Sequence, residues 1–321
     1  MYKKIRSVVE ADFDAVNQFI VDQLHSDVPL VESIGHYITG AGGKRMRPVL
    51  VLLSARSCGS DSASPIKLAA VIEFIHTATL LHDDVVDMSS MRRGRPTANE
   101  HWNNPSSVLV GDFIYSRAFQ VLVELGNVDI MRIIADTTNK IAEGEVLQLL
   151  NKHNTASTED DYMKVIRGKT AILFEAAAHC GAILADASTA HCNALKQAGM
   201  HIGMAFQLID DVLDYVGDSN SMGKNIGDDL SEGKPTLPLI HAMKNSSAAD
   251  SELIKTSLEQ GGLHQLNEVI RIVQSSGALE YTRSLARQEI DSALQALACL
   301  PDTRYRTALE EMAELALNRS V

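Results

Sequence analysis

Aromatic residues are scarce in this chain. Phenylalanine, tyrosine and tryptophan make up 5% of its 321 residues, and there is one tryptophan. Alanine, leucine, isoleucine and methionine carry the apolar share instead, a mix that favours helices over sheets. Basic excess is also missing. The formal net charge is -12, which argues against nucleic acid as a partner. The same charge repels a diphosphate on average, so any diphosphate site needs local lysines and arginines to override it. The four cysteines, Cys58, Cys180, Cys192 and Cys299, form no CxxC pair, and four in so long a chain make no disulfide framework. They read as buried thiols in a reducing compartment. No apolar run approaches the roughly 20 residues that span a bilayer. The first thirty residues carry scattered charges (Lys3, Lys4, Arg6, Glu10, Asp12, Asp14) and no apolar signal segment. The expectation is a soluble cytoplasmic protein without stable membrane insertion. There is no nucleophile elbow, zinc-finger spacing or dinucleotide fingerprint.

What is present is helical period. Apolar residues recur at three- and four-residue steps, as in Leu68, Val71, Ile72, Ile75 and in Ile133, Ile134, Ile141, Val146, Leu149. Strict alternation is hard to find. Breaks are short and polar, at residues 58–65, 151–161, 218–225 and 245–250, and none looks like a linker. This predicts one all-α domain over residues 1–321, with ten or more helices. Pro48 fits the first turn of a helix over Val49–Ala55. The segment 94–105, with two prolines, reads as a loop.

Two acidic clusters interrupt the apolar pattern. LLHDDVVD at residues 80–87 and FQLIDDVLDY at 206–215 share DDVxD. At about 100° per residue, Asp83 and Asp87 lie one turn apart, with Asp84 beside them and His76 two turns up the same stripe. Gln207, Asp210, Asp211 and Asp214 form a second stripe. Like charges at this spacing destabilise a bare helix. Hard oxygen donors suit Mg²⁺ shared with substrate phosphates. A single such cluster is more often a solvated helix face, whereas two in one domain suggest cations held between them.

Basic clusters accompany them: GGKRMRP at 42–48, RRGR at 92–95, Lys169 in GKT, and Lys224 and Lys234 flanking GDDLSEG. Arginine forks grip phosphate in bidentate fashion and lysines act as point charges. Gly42 and Gly43 would let backbone approach an anion. GGKRMRP is not a P-loop, because Lys44 is followed by Arg45 and residue 38 is isoleucine. Each cluster alone reads as solvated surface; their weight lies in accompanying two acidic motifs. Glu73 and His76 form one ExxH, a di-iron bundle signature that needs a second copy, and none is found. His76 suits a phosphate donor better.

In order along the chain, GGKRMRP, HTATLLHDDVVDMSSMRRGRPT, GDFIYSRAF, EGEVLQL, FQLIDDVLDY and GKNIGDDLSEGKPTLPL resemble the trans-isoprenyl diphosphate synthases. The resemblance covers nearly the whole chain, and bacterial long-chain members serving ubiquinone are nearest. It implies an all-α, isoprenoid-synthase-type helical bundle around a deep central cavity, working as a homodimer. It also implies Mg²⁺-dependent head-to-tail condensation of isopentenyl diphosphate onto an allylic diphosphate, farnesyl in the first round by that likeness. Asp83, Asp87 and Asp210 would hold Mg²⁺, with Asp84, Asp211 and Asp214 in support. Arg92, Lys169, Thr170, Gln207, Lys224 and Lys234 match positions that contact the allylic diphosphate. Lys44, Arg47, His76 and Arg93 match the isopentenyl diphosphate site. No side-chain base stands out, in keeping with the family's use of the departing diphosphate.

Short-product members of the family carry bulky residues four and five positions before the first aspartate. Here these are Thr79 and Ala78, both small, so the tunnel is expected to stay open there, with Leu122 and Ile134 as candidate floor residues. A product of about forty carbons follows, and Ala78→Tyr is expected to shorten it. The alternatives are a farnesyl or geranylgeranyl synthase, a non-catalytic subunit of a hetero-oligomer, a terpene cyclase, or a structural bundle. A cyclase would lack the Lys44, Arg47 and Arg93 cluster, and a dead subunit would have lost an aspartate motif.

Overall fold

The computed structural model describes residues 1–216, 227–261 and 263–318. More than ten helices follow one another: α1 (Tyr2–Ser7), α2 (Glu10–Gln23), α3 (Pro29–Thr39), α4 (Met46–Ser57), α5 (Ser64–Val86), α6 (Ala98–His101), α7 (Asn104–Leu125), α8 (Val128–Asn151), α9 (Glu159–Ile166), α10 (Ile172–Leu184), α11 (Thr189–Val216), α12 (Asp228–Ser231), α13 (Leu237–Asn245), α14 (Ala248–Gln260), α15 (Leu266–Ser275), α16 (Ala278–Leu297) and α17 (Arg304–Leu317). Among the described residues the only strands are Met91–Arg92 and Arg95–Pro96, a minimal antiparallel hairpin. The all-α expectation holds.

Local chemistry sets the boundaries. The Asn103 side chain accepts from the Ser106 N–H at the start of α7, and Asn127 does the same for Ile130 at the start of α8. Between them Gly126, at φ 67°, ends α7 in the left-handed region. Thr158 and Asp161 form a capping box at α9. Pro48 lies in the first turn of α4, which starts earlier and ends later than Val49–Ala55. The segment 94–105 is not a plain loop: it holds a strand, the single turn of α6 and the start of α7. Tertiary contacts stiffen it. Tyr37 donates to the Pro96 carbonyl at 2.8 Å, and its ring stacks on His101 and meets Trp102 edge-on.

The larger apolar core draws on residues from Ile5 to Ala316. α5 packs against α7, α4 and α2, and α11 packs against α10 and α16. A smaller cluster of Val212, Tyr215, Leu230, Leu239, Ile254, Leu258 and Val269 caps the far end of α11. α5 is, after all, long and apolar enough to cross a membrane, with a mean hydropathy of 1.3 over its most apolar window. Two thirds of that window is buried, which is the signature of a core helix.

Candidate active site

The two aspartate helices line one cavity of ≈ 1490 Å³. α5 presents Glu73, His76, Thr79, Leu80 and Asp83 to it, with Asp87 at the helix end. This is the stripe that three- and four-residue steps generate. α11 presents Phe206, Gln207, Asp210, Asp211 and Asp214. α8 supplies Glu145 and Gln148, and Lys152 and His153 follow its end. Lys44, Arg45 and Arg47 enter from the GGKRMRP turn, and Arg92 and Arg93 from the hairpin.

Asp84 departs from the expected face. One residue on from Asp83 it is rotated away from the cavity and fully buried. Arg92 donates to its Oδ1 from Nε at 2.9 Å and from Nη2 at 2.7 Å, and to its Oδ2 from Nε at 3.1 Å. Asp84 therefore anchors the hairpin and sets the direction of Arg92. Arg93 next to it, at φ 52°, donates to the Gly42 carbonyl. A Cβ on Gly43 would stand 2.7 Å from the Arg93 guanidinium. That glycine lets Arg93 close in, rather than only letting backbone approach an anion.

Arg45 is also structural. Held at φ 44°, it bonds Asn17 and the Thr39 carbonyl and lies 3.6 Å from Glu73. With it so fixed, Arg47 stands over the Phe174 ring at 4.3 Å. Burial, followed by the charges of Arg47, Arg93 and Arg92, pushes His76 well below its ordinary pKa. Its imidazole is neutral at pH 7.

On α11 the four polar residues divide. Thr170 donates to Gln207 Oε1 at 2.9 Å, and Gln207 Nε2 donates to Asp211 at 2.7 Å. Tyr162 donates to the other Asp211 oxygen. Burial and the nearby Asp229 raise the Asp211 carboxyl well above the usual carboxylate range. Asp214 accepts the Asp229 N–H at 3.2 Å and so fastens α12 to α11. Asp210 is the more exposed of the three.

Lys169 sits in a π-helical turn over Arg167–Ala171. Its ammonium donates to Glu145 at 2.6 Å and Gln148 at 2.8 Å, and lies 3.5 Å from Asp83. A Cβ on Gly144 would come within 2.7 Å of the Lys169 backbone nitrogen, so this contact needs glycine. Burial and the Asp83 charge push Glu145 up to about 7. Asp87 is gripped from both sides, by Lys152 at 2.8 Å and Lys234 at 2.8 Å. Burial would raise its carboxyl, but Lys234 and Lys152 hold it down to about 2.

Glu145, Gln148, Lys152 and Tyr162 were not among the expected site residues. The first two had a readable signal, since they stand at helical spacing within EGEVLQL, whereas Lys152 lies beyond that motif. Tyr162 had none. Lys224 lies outside the described residues. The chain-length positions separate: Thr79 lines the cavity, whereas Ala78 and Leu122 lie in the core and outside its lining. Four residues before Asp83 is close to one full turn; five is well off the stripe. Thr79 thus faces the cavity more directly than Ala78 does.

Residues 28–274 match the polyprenyl synthetase family. The chain belongs to that family. It is 50% identical over 318 residues to octaprenyl diphosphate synthase of Escherichia coli K12, covering 99% of this chain and 98% of that protein. It is 51% identical over 316 residues to a geranyl-diphosphate-specific all-trans-nonaprenyl-diphosphate synthase of Rhodobacter capsulatus, covering 98% and 97%. A polyprenyl synthase of Caulobacter crescentus, solved with calcium and isoprenyl diphosphate, superposes with a TM-score of 0.97 at 42% identity, covering 99% of this chain and 98% of that one. The polyprenyl synthetase fold here is thus a prenyltransferase, a trans-polyprenyl diphosphate synthase.

Proposed function

We propose that this cavity adds isopentenyl diphosphate repeatedly to an allylic diphosphate, farnesyl diphosphate in the first round, until the product reaches about forty carbons. The octaprenyl product would supply a quinone side chain. The observation that carries this reading is the union, on one cavity, of Asp83 and Asp87 from α5, Asp210 from α11, and the cations Lys44, Arg47, Arg92, Arg93, Lys169 and Lys234.

The donors suit Mg²⁺. Asp83, Asp87 and Asp210 offer only hard carboxylate oxygens. Among the described residues no three His, Cys, Asp or Glu side chains are grouped to hold one ion. Substrate phosphates and water must complete the shell, which is how Mg²⁺ usually binds. The Caulobacter relative's calcium and isoprenyl diphosphate support this reading. When bound, Mg²⁺ would neutralise charge growing on the departing diphosphate.

The chain's own residues do the rest. Lys169 and Lys234 face the allylic diphosphate, with Arg92 aimed by Asp84. Preplaced cations in a cavity stabilise the leaving group without reorganising at the moment of reaction. Thr170 and Gln207 orient that end through their bond to each other and to Asp211, while Asp211 and Asp214 support the α11 face. Lys44, Arg47, Arg93 and neutral His76 hold isopentenyl diphosphate so that its double bond meets the allylic carbon. Leu80, Phe206 and Leu213 on the wall limit water, which would trap the carbocation. Released diphosphate takes the proton.

A second copy is proposed to cover α8. Val146, Leu149 and Leu150 are 57%, 54% and 73% exposed and form an apolar strip with Ala142. Light scattering should give a homodimer; a monomer would refute this part. The reaction itself is tested with purified protein, Mg²⁺, labelled isopentenyl diphosphate and farnesyl diphosphate, reading chain length by mass spectrometry. A ladder ending near forty carbons is expected. A stop at fifteen or twenty carbons would overturn the length assignment, and no elongation would overturn the site.

A further inference from the structure

Lys152 belongs to none of the motifs above, yet its ammonium reaches the aspartates. It follows Asn151, the last residue of α8, with φ −56° and ψ 135°. It donates to Asp87 Oδ1 at 2.8 Å, while Lys234 donates to Oδ2 at 2.8 Å. The Lys152 and Asp87 side chains are 16% and 11% exposed, so this is a pair inside the cavity wall.

The position is built rather than incidental. His153, the next residue, holds φ 62°, a left-handed conformation that costs a non-glycine residue about 1 kcal/mol or more. Two bonds secure it. Its N–H donates to the Gly233 carbonyl at 2.7 Å, and its ring Nδ1 pairs with the Leu258 carbonyl at 2.8 Å. A Cβ on Gly233 would lie 2.3 Å from that ring. The end of α8 is thereby locked to the residue before Lys234, and the two lysines converge on one carboxylate.

The two lysines differ in what else they hold. Lys234 also pairs with Glu232. Among the described residues Asp87 is the one carboxylate in ion-pair reach of Lys152. When Asp87 turns to a divalent cation, Lys234 keeps a partner and Lys152 does not. A poorly hydrated ammonium without a counter-ion is costly. The group that arrives with the cation is a diphosphate, whose oxygens accept strong charge-assisted bonds.

We propose that Lys152 is a further diphosphate-binding residue, which holds Asp87 before substrate enters and passes to the allylic diphosphate when Asp87 takes the divalent cation. This rests on the assignment of Asp87 to the metal side of the site.

The test is calorimetric titration of the full chain with inorganic diphosphate at saturating Mg²⁺, beside titration with Mg²⁺ alone. Lys152→Met is expected to bind diphosphate about tenfold more weakly, a loss of about 1.4 kcal/mol, and to bind Mg²⁺ alone more tightly, because a competing cation has gone. Lys152→Arg should stay within about threefold of wild type, as the charge-assisted bond is kept. Lys152→Gln is measured in parallel, so that one misfolded variant does not decide the matter. Unchanged diphosphate affinity in the neutral variants overturns the proposal, whatever Mg²⁺ alone does. Failure of the wild-type protein to bind diphosphate with Mg²⁺ would overturn the site assignment itself, and Lys152's role with it.

Discussion

Asp84 offers the sharpest separation between a ligand and an anchor. Replace it with asparagine. Its carboxylate is fully buried, and Arg92 makes three contacts to it between 2.7 and 3.1 Å. Breaking a buried ion pair on one side costs roughly 3–5 kcal/mol, because the remaining charge is left unpaired. The Arg92 side chain is 20% exposed, so water relieves part of that penalty and the lower end, about 3 kcal/mol, applies. At about 2.1 cal/mol/K per residue, a chain of this length should lose roughly 4 °C in Tm. Denaturant titration gives the first number and calorimetry the second. Asp84→Asn combined with Arg92→Gln should restore part of the loss, since the orphaned charge is gone. In the condensation assay the KM for the allylic diphosphate should rise, because Arg92 loses its aim, while the Mg²⁺ concentration for half activity stays near wild type. Unchanged stability together with a tenfold greater Mg²⁺ requirement would refute the anchor reasoning and return Asp84 to the metal.

Asp87 predicts an acid limb in stability. Its folded pKa of about 2 lies below the ordinary 3.8, so its contribution is present above the ordinary value and is lost as pH falls from about 4 towards 2. The depression corresponds to about 2 kcal/mol. Without divalent cation, wild type should lose stability across that window more steeply than Asp87→Asn; parallel denaturation curves would contradict the lysine grip. Thr79→Tyr should shorten the product below forty carbons by filling the cavity beneath Asp83, and mass spectrometry reads it directly. Ala78→Tyr should instead lower stability by about 1–3 kcal/mol through overpacking, and a clean shortening of product by Ala78→Tyr at full stability would reverse that ranking.

The legible part of this protein is the part that repeats at helical spacing. Asp83 with Asp87, and Gln207 with Asp210, announce two faces because one turn brings them together, and the cavity forms between those faces. Spacing does not report the exact angular limit of a face. That is why the spacing sets Asp84, adjacent in sequence and identical in charge, beside Asp83 and Asp87 as a supporting carboxylate, when rotation carries it into the core to meet Arg92. The same limit separates Thr79 from Ala78. A second class of residue stayed hidden because its role is set by a distant segment. Lys152 becomes a site residue only when His153 is fixed by Gly233 and Leu258, some 80 and 105 residues further on. Tyr162 does so only by crossing to Asp211 on α11. Gly144 lies between these cases. Its place in EGEVLQL was visible, but its reason is the π-helical turn that brings the Lys169 backbone against it. Local periodicity therefore supplies the walls of such a site, and long-range backbone clamps decide which charges reach its centre.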